Sequence, residues 1–520
     1  TNAVANNDTT NDATLTVTFT SSKETTNFAA SDITVTGGAI SNFAATSSTV
    51  YTVTFTPSAA GATTIDVGDD KFTDTLGNPN ASSTQFKWTY DNIKPVPSIV
   101  VSNKAGTAVA NGATTGDDSL HAVITITEPI AGFDLSSFTF TGNGSASDLV
   151  SVNDTSKTLK LIASASGTVT ATIPADKIFD LAGNGNEAIS FTWTYDGTAP
   201  SVISVTALIA DGSYIEGQQI PIALIFTENV TVVDTPTLAI PPGLFGYQVP
   251  YASGSGSDTL IFNYVVQEGH NANDLGYSSS SALSLNGGSI KDSYTNAANL
   301  SLPAPGETGS LSANKNIVID TSDPIIVISA TNGSNENIVS RSLINDTPLN
   351  LTFTASEPIS GFDQSDIAVS GAGALSEFSP TSTTVYTVKL TPSADGKLTI
   401  SIPESAANDG AGNASDAANE FKLTYDGTAP TLNITALNFT GNVVASGDTT
   451  SDDSLKLIFT STEALSGFTV NDISANDGSI SDFKFVNDTV YTATYKPSDV
   501  GVNTILVDQN VFTDLAGNAN

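Results

Sequence analysis

Cysteine and methionine are both absent from the 520 residues, and histidine occurs only twice. Without cysteine there is no disulfide framework, no thiol nucleophile and no Cys-ligated metal. Without a methionine at position 1, the chain is expected to be a processed product or an excerpt. Basic residues are scarce: 17 Lys and Arg stand against 53 Asp and Glu, a formal net charge of -36. That balance argues against nucleic acid, because phosphate binding needs a basic face. It disfavours an anionic membrane surface for the same reason. The excess repels itself unless cations neutralise part of it. No apolar run approaches the ~20 residues that span a bilayer as a helix, so no direct membrane insertion is expected. No signal peptide is visible, and long helical periodicity is missing.

What the chain does have is Thr, Ser and Val alternating with Gly, Asn and Asp turns, a pattern that reads as all-β. The length exceeds what one hydrophobic core usually supports, so several domains are expected. Internal repeats are evident. Four segments end alike, at Trp88-Thr89-Tyr90-Asp91, Trp193-Thr194-Tyr195-Asp196, Ile317-Val318-Ile319-Asp320 and Leu423-Thr424-Tyr425-Asp426. Each is followed by a proline: Pro95, Pro200, Pro324 and Pro430. Phe28, Phe133, Phe362 and Phe468 are spaced by 105, 229 and 106 residues. An Asp-x-x-Gly-Asn turn recurs on the same period at Asp74–Asn78, Asp180–Asn184, Asp409–Asn413 and Asp514–Asn518.

The expected units are 1–95, 96–200, 201–324, 325–430 and 431–520, the third longer and different in sequence. Most are near the ~100 residues of an immunoglobulin-like sandwich, and the fold class expected is a tandem array of such sandwiches. Secreted eukaryotic sandwiches often carry disulfides, so their absence leans bacterial. Alignment of the units sets Thr1 against Gly441. The first unit is thus expected to lack the opening strand that Leu432–Leu437 supplies in the fifth. The fifth is expected to lack the closing strand that Phe86–Tyr90 supplies in the first. Other expected strands are Leu15–Phe19, Val50–Phe55 and Thr63–Val67 in the first unit. In the fifth they are Leu455–Phe459, Val490–Tyr495 and Asn503–Val507. Trp88 and Trp193, in closing strands, are read as core residues; sugar stacking is the alternative.

The recurrent turn carries the chemistry. Asp and Asn offer hard oxygen ligands, and Gly permits a left-handed backbone. A plain turn needs the same residues without any metal, but other acids recur in step. Glu128, Glu357 and Glu463 each lie five residues before the landmark Phe, and Glu228 sits similarly in the third unit. The linker Asp is the third acid. In such a sandwich the loop after the second strand and the loop before the last strand share one end, where the preceding linker also arrives. Three carboxylates so placed repel strongly without a cation, and Ca2+ accepts about six to eight oxygens in flexible geometry.

The candidate Ca2+ sets are four. The first is Asp91 with Glu128, Asp180 and Asn184. The second is Asp196 with Glu228 and Asp292. The third is Asp320 and Asp323 with Glu357, Asp409 and Asn413. The fourth is Asp426 with Glu463, Asp514 and Asn518. A hydrogen-bonded acidic turn network without metal is the other reading. In the first unit Lys23 takes the glutamate position, so direct neutralisation of Asp74 and no Ca2+ are expected there. A second set of acids lies between the first two strands: Asp8 and Asp12; Asp117 and Asp118; Asp346; Asp448, Asp452 and Asp453. These are read as a solvated loop, with a contribution to the next junction's cation as the alternative. No catalytic constellation is present: His121 and His270 are read as surface residues, and no nucleophile or phosphate-loop motif occurs. Acid pairs recur in every unit, whereas a glycosidase places its pair once in a cleft. The chain is therefore not expected to be an enzyme.

Three features carry a resemblance. They are Phe-Thr-x-x-Glu after the second strand (459–463 and 353–357), the Asp-x-Ala-Gly-Asn turn, and Tyr-Asp-Gly-Thr-Ala-Pro at 195–200 and 425–430. With these the chain resembles the bacterial immunoglobulin-like repeats of giant cell-surface adhesins. The third unit looks like a related repeat, with Tyr214-Ile215-Glu216-Gly217 and Asn314-Lys315-Asn316-Ile317 among its markers. The resemblance implies a stalk that carries a binding tip away from the cell, stiffened by Ca2+ at its junctions. It also implies secretion to an outer-membrane-associated surface. The repeat mixture and Thr/Asn richness are similar to exported proteins of gliding Bacteroidetes. Partners implied are neighbouring repeats of the same chain, anchoring or secretion machinery, and a glycan or other surface ligand. Asp118-Ser119-Leu120 and Asp488-Thr489-Val490 resemble O-glycosylation acceptors. Two alternatives stand beside the stalk. The third unit, with Tyr214, Tyr247, Tyr251 and Tyr277, is read as a glycan- or protein-binding module, or the array as accessory domains of a secreted hydrolase.

Overall fold

A computed structural model describes residues 3–241 and 246–520. Strands and turns make up almost all of the regular structure, and among the described residues the one α-helix is Leu311–Asn314, capped by the Ser310 hydroxyl. Five clusters of buried side chains follow one another along the described chain, each built from its own run of residues. The protein is all-β and Ig-like.

Strict alternation builds each cluster. Val50–Pro57 reads Val-Tyr-Thr-Val-Thr-Phe-Thr-Pro, and its inward residues Tyr51, Val53 and Phe55 are buried while the threonines between them are more exposed. A two-residue side-chain period puts every second residue on one sheet face. Fully burying such a side chain contributes about 1.5–3 kcal/mol. The landmark phenylalanines cap these cores edge-on. Phe28 meets Tyr51 at 5.0 Å, Phe362 meets Tyr386 at 5.2 Å and Phe468 meets Tyr491 at 5.1 Å, with interplanar angles of 85°, 84° and 89°. In the second unit Lys157 takes the tyrosine's place. It is buried, and its ammonium donates to the Ser151 hydroxyl and the Asn153 carbonyl.

The second unit shows the complete plan. One sheet orders Gly144–Asn153, Ser156–Ala163, Ser119–Ile126, Pro97–Ser102 and Ala108–Val109. The facing sheet orders Thr114–Thr115, Ile189–Tyr195, Gly167–Ile173 and Thr139–Thr141. Thr114–Thr115 runs parallel to Ile189–Tyr195, and the remaining pairs are antiparallel. The fourth unit repeats this plan, with Ile326–Thr331 in the opening position and Phe421–Tyr425 in the closing one.

The third unit departs from it. Gln219–Val233 is a single 15-residue strand that pairs with Val202–Ala207, Ser257–Val265 and Ser289–Lys291 in turn. In the fifth unit the strand expected over residues 503–507 is shorter, Ile505–Val507, and pairs on one side only, with Ile473–Ala475. Thr504 instead donates its N–H to the Asn476 side chain. Trp88 and Trp193 lie in the cores, 2% and 0% exposed.

Candidate metal centres at the unit junctions

Each closing strand delivers its terminal Asp to the next unit in a fixed pose. The Asp91 N–H donates to the Thr10 carbonyl, while one Asp91 carboxylate oxygen accepts from the Ile93 N–H at 3.0 Å. Asp196, Asp320 and Asp426 are held the same way, each N–H to a carbonyl of its own unit and one carboxylate oxygen to the N–H two residues on. The other oxygen remains available for the seam.

The turn Asp is buried and tied down harder. Asp409 Oδ1 accepts from the N–H groups of Ala411, Gly412 and Asn413 at 2.6–2.9 Å, and Oδ2 accepts from Asn413 Nδ2 at 2.9 Å. Gly412 supplies the positive φ, 106°, that closes the loop. Asp180 and Asp514 show the same arrangement with Asn184 and Asn518.

The glutamate after the second strand completes each group. Asp91, Glu128 and Asp180 offer oxygens within 4.8 Å of one another, as do Asp196, Glu228 and Asp292; Asp320, Glu357 and Asp409; and Asp426, Glu463 and Asp514. In every triad the first residue belongs to one unit and the other two to the next. Ligands at about 2.4 Å on opposite sides of one Ca2+ are about 4.8 Å apart, so the spacing fits a shared ion. Without one, each like-charged pair at such spacing repels by about 3–4 kcal/mol at an effective dielectric near 20. All four glutamates are pushed above the usual carboxylate range, by burial first and then by the two aspartates beside them. Glu128 Oε1 is buried with no hydrogen-bond partner, the state of an oxygen that lacks its counter-charge.

With this geometry established, comparison with known proteins gives the family. Bacterial Ig-like domain sequences match residues 1–90, 320–425 and 426–520, more than half of the chain. The chain belongs to the bacterial Ig-like domain family. No curated protein matches the sequence. Solved structures of low similarity include invasin, a bacterial integrin-binding protein, at 11% identity, 84% of this chain, 81% of that one and a TM-score of 0.25. The I-band fragment I67–I69 of titin is similar at 10% identity, 64% and 96% coverage and a TM-score of 0.24. The surface layer protein SbsC, domains 1–6, is similar at 13% identity, 81% and 67% coverage and a TM-score of 0.15. Scores this low support no argument from any of them. Ig-like domains are generally non-enzymatic.

Within these Ig-like units, the expected asparagines have a different part from the expected one. Asn184, Asn413 and Asn518 turn their amide nitrogen, not their oxygen, toward the carboxylates. The same nitrogen donates across the seam to the linker carbonyl of Asp91, Asp320 or Asp426 at 2.8–3.0 Å. They are braces between units, since the N–H side of an amide is no metal ligand. Asp323 is exposed and stands outside the four triads. One brace was not foreseen. Asn296 donates to the Asp196 carbonyl at 2.9 Å and to Asp292 Oδ2 at 2.8 Å. Its turn, Asp292-Ser293-Tyr294-Thr295-Asn296, keeps the four-residue spacing but replaces Gly with Thr295, at φ 72°. The spacing alone was the signal.

Three further features also escaped the sequence. Asp395 accepts from the Gly427 N–H and the Thr428 hydroxyl in the linker, and its charge adds to that of Asp426 and Asp514 on Glu463. Asn11 and Asn345, beside the acidic loops read as solvated, cross the seam to the brace oxygens of Asn184 and Asn518 at 3.2 Å. Gly116 holds the corresponding place at the second seam, where a Cβ would sit 2.1 Å from the Tyr294 carbonyl oxygen. The acids of those loops are outside the triads; Asp118 pairs with Lys104 at 2.6 Å.

In the first unit Lys23 lies 3.2 Å from Asp74 Oδ2. The Asp74 carboxyl is held well below its usual range, by Asn78 first and by Lys23 among lesser contributors. His121 is exposed, as expected, but His270 is not a plain surface residue. It is half-buried, accepts or donates at Nδ1 with the Tyr264 hydroxyl at 2.9 Å, and packs on Tyr247 and Tyr264. The four tyrosines of the third unit make internal contacts: Tyr214 donates to the Ala210 carbonyl, Tyr277 to the Pro303 carbonyl, Tyr251 accepts from the Ser255 N–H, and Tyr247 packs on Tyr264.

Proposed function

We propose that this chain is a stalk segment of a large secreted bacterial surface adhesin, whose Ig-like units 1–95, 96–200, 201–324, 325–430 and 431–520 are locked in line by Ca2+ at four junctions. The observation that carries this reading is that each triad takes its carboxylates from two neighbouring units. An ion held there ties the linker of one unit to the turn of the next and turns repulsion into attraction. The braces Asn184, Asn296, Asn413 and Asn518 preset the two sides, so binding costs little reorganisation. The residues proposed to hold the ion are Asp91, Glu128 and Asp180; Asp196, Glu228 and Asp292; Asp320, Glu357 and Asp409; and Asp426, Glu463 and Asp514. The family and the strong negative charge support a place outside the cell, on a surface of the gliding or adhesive kind, with partners in the anchoring or secretion machinery. The internal engagement of the third unit's tyrosines weighs against a sugar platform there.

Calorimetric titration of the metal-stripped chain with Ca2+ tests the reading, alongside small-angle scattering with Ca2+ and with chelator. About four ions per chain and a maximum dimension that shrinks or blurs on chelation are expected. No Ca2+ uptake at millimolar concentration would sink it.

A further inference from the structure

The third linker is gripped by a loop of its own unit, and that loop closes on a histidine. Loop 267–272 lies against residues 319–322. The Gly269 N–H donates to the Thr321 hydroxyl at 3.0 Å, and that hydroxyl donates to the His270 carbonyl at 3.2 Å. The Thr321 N–H donates to the Asn271 side-chain oxygen at 2.8 Å, and the Asn271 amide donates to the Ser322 hydroxyl at 3.3 Å. Ala272 and Ile319 exchange both backbone bonds at 2.8 Å. Asp320, the linker carboxylate of the third triad, sits inside the gripped stretch. A cavity of about 440 Å³ lies between loop and seam, lined by Asn271, Ala272, Asn273, Asp320, Ser322 and Glu357 among others. The second and fourth linkers are held there by a single side chain each: Ser166 accepts from the Gly197 N–H, and Asp395 from the Gly427 N–H.

His270 closes the loop from inside. Its N–H donates to the Gln267 carbonyl at 3.1 Å, and the Gln267 N–H donates back to its Nδ1 at 3.4 Å. The Tyr264 hydroxyl lies 2.9 Å from the same nitrogen. The ring stands edge-on to Tyr247 at 5.3 Å and stacks on Tyr264 at 5.9 Å. A hydroxyl can turn round and accept, but a backbone N–H only donates. Nδ1 must therefore stay unprotonated to hold Gln267, which places the single ring hydrogen on Nε2. Tyr247 and Tyr264 face the ring from their strands, Glu268 in its own loop is exposed, and Asp274 further along accepts from the Ile317 N–H. Among the described residues no ion pair involves His270. Burial pushes the His270 imidazole below its ordinary value.

We propose that loop 267–272 is an acid-released clasp on the third linker: a proton on His270 Nδ1 displaces the Gln267 N–H, opens the loop and frees residues 319–322, so that the third and fourth units lose their alignment. The clasp is built from the third unit's own groups and does not need a junction ion. Because the folded-state value lies below the unfolded one of about 6.5, the clasp is at full strength above that pH and weakens as pH falls from there through the folded value. The seam glutamates act with the opposite sign, since protonation relieves their repulsion.

Hydrogen exchange at residues 319–322 of the full chain in chelator, corrected for its intrinsic pH dependence, tests it. Residues 424–427 of the fourth linker, beside Glu463, serve as the reference that carries the glutamate trend alone. Protection at 319–322 relative to that reference is expected to fall below about pH 6.5, by about tenfold for each unit that the His270 pKa lies under its free value. It is expected to level off where the His270 imidazole itself titrates. The chain has two histidines, and the His270 proton resonances are told apart by their contacts with the Tyr264 ring. In His270→Asn an oxygen takes the place of Nδ1 and cannot titrate, so the fall relative to the reference is expected to vanish. The proposal is overturned if the two linkers follow one pH profile, or if the fall does not level off at the His270 titration. Both outcomes are read on the unaltered protein, so neither is confused with misfolding. An undiminished fall in a folded His270→Asn chain overturns it too.

Discussion

The first unit and the four that follow share one turn and use it in opposite ways. In the first, Lys23 stands beside Asp74 and supplies the positive charge from the chain itself. In the others a glutamate stands at that place and adds negative charge to two aspartates. A single change of sign separates a turn that is self-neutralised from one that calls for a cation. The difference also separates two ways of joining units. A Lys–Asp pair closes one unit on itself, whereas three carboxylates drawn from two units give an ion something to bridge.

The comparison is broken most forcefully by removing metal. With Ca2+ at a hundred times its dissociation constant, each occupied junction gains about 2.7 kcal/mol over the chelated state. Calorimetric scans with and without chelator are expected to show the later units melting lower, while the first, which supplies only Asp91 to a junction, moves least. If all units shift together, the distinction drawn at Lys23 is wrong.

Glu357→Lys transplants the first unit's solution into the third seam. Titration is expected to lose one Ca2+ per chain and retain the other three. Loss of all four would mean the junctions are coupled rather than separate.

Acidification of the metal-free chain acts oppositely on the two regions. A raised glutamate pKa means that the ionised form is penalised in the fold. That penalty is fully present above the folded-state pKa and fades as pH falls toward the unfolded value of about 4.3. The later units are therefore expected to gain stability as pH drops from neutral through that window. Asp74 is shifted downward, so its contribution persists until pH falls below about 3.9, the unfolded value, and on through the folded one. Melting curves at stepped pH in chelator check both signs.

Smaller effects separate the braces from the ligands. Asn518→Ala leaves the carboxylates in place but removes the amide that donates to Asp514 and the Asp426 carbonyl; a loss of about 1–2 kcal/mol in fifth-unit stability is expected, even without metal. Thr295→Gly relieves a positive φ at a β-branched residue and is expected to stabilise the third unit by about 1 kcal/mol, visible as a raised melting midpoint. A fall instead would mean that the Thr295 side chain makes a contact worth more than the strain.

Much of this is legible in the sequence. Side-chain alternation of period two forces a sheet face, so Tyr51, Val53 and Phe55 had to point one way. Acids that recur in step with a structural period recur at one place in each unit, so spacing together with the end shared by two loops of a sandwich is enough to expect the linker Asp, the Glu and the turn Asp side by side, as the four triads have them. Asn296 stands outside the recurrent pattern because its turn lacks the glycine, although Thr295 at positive φ achieves the same turn. Asp395 was missed because the second unit has Ser166 bonding the equivalent linker N–H, so no acid repeats there.

Composition and period thus determined the all-β architecture, the repeat and which residue types meet at a seam, because these follow from local stereochemistry repeated in register. Which atom of Asn184 faces the carboxylates and that Asp323 turns to solvent were settled by packing in three dimensions. Such outcomes depend on hydrogen-bond partners and strands far away in the chain, and no local pattern encodes how those arrive.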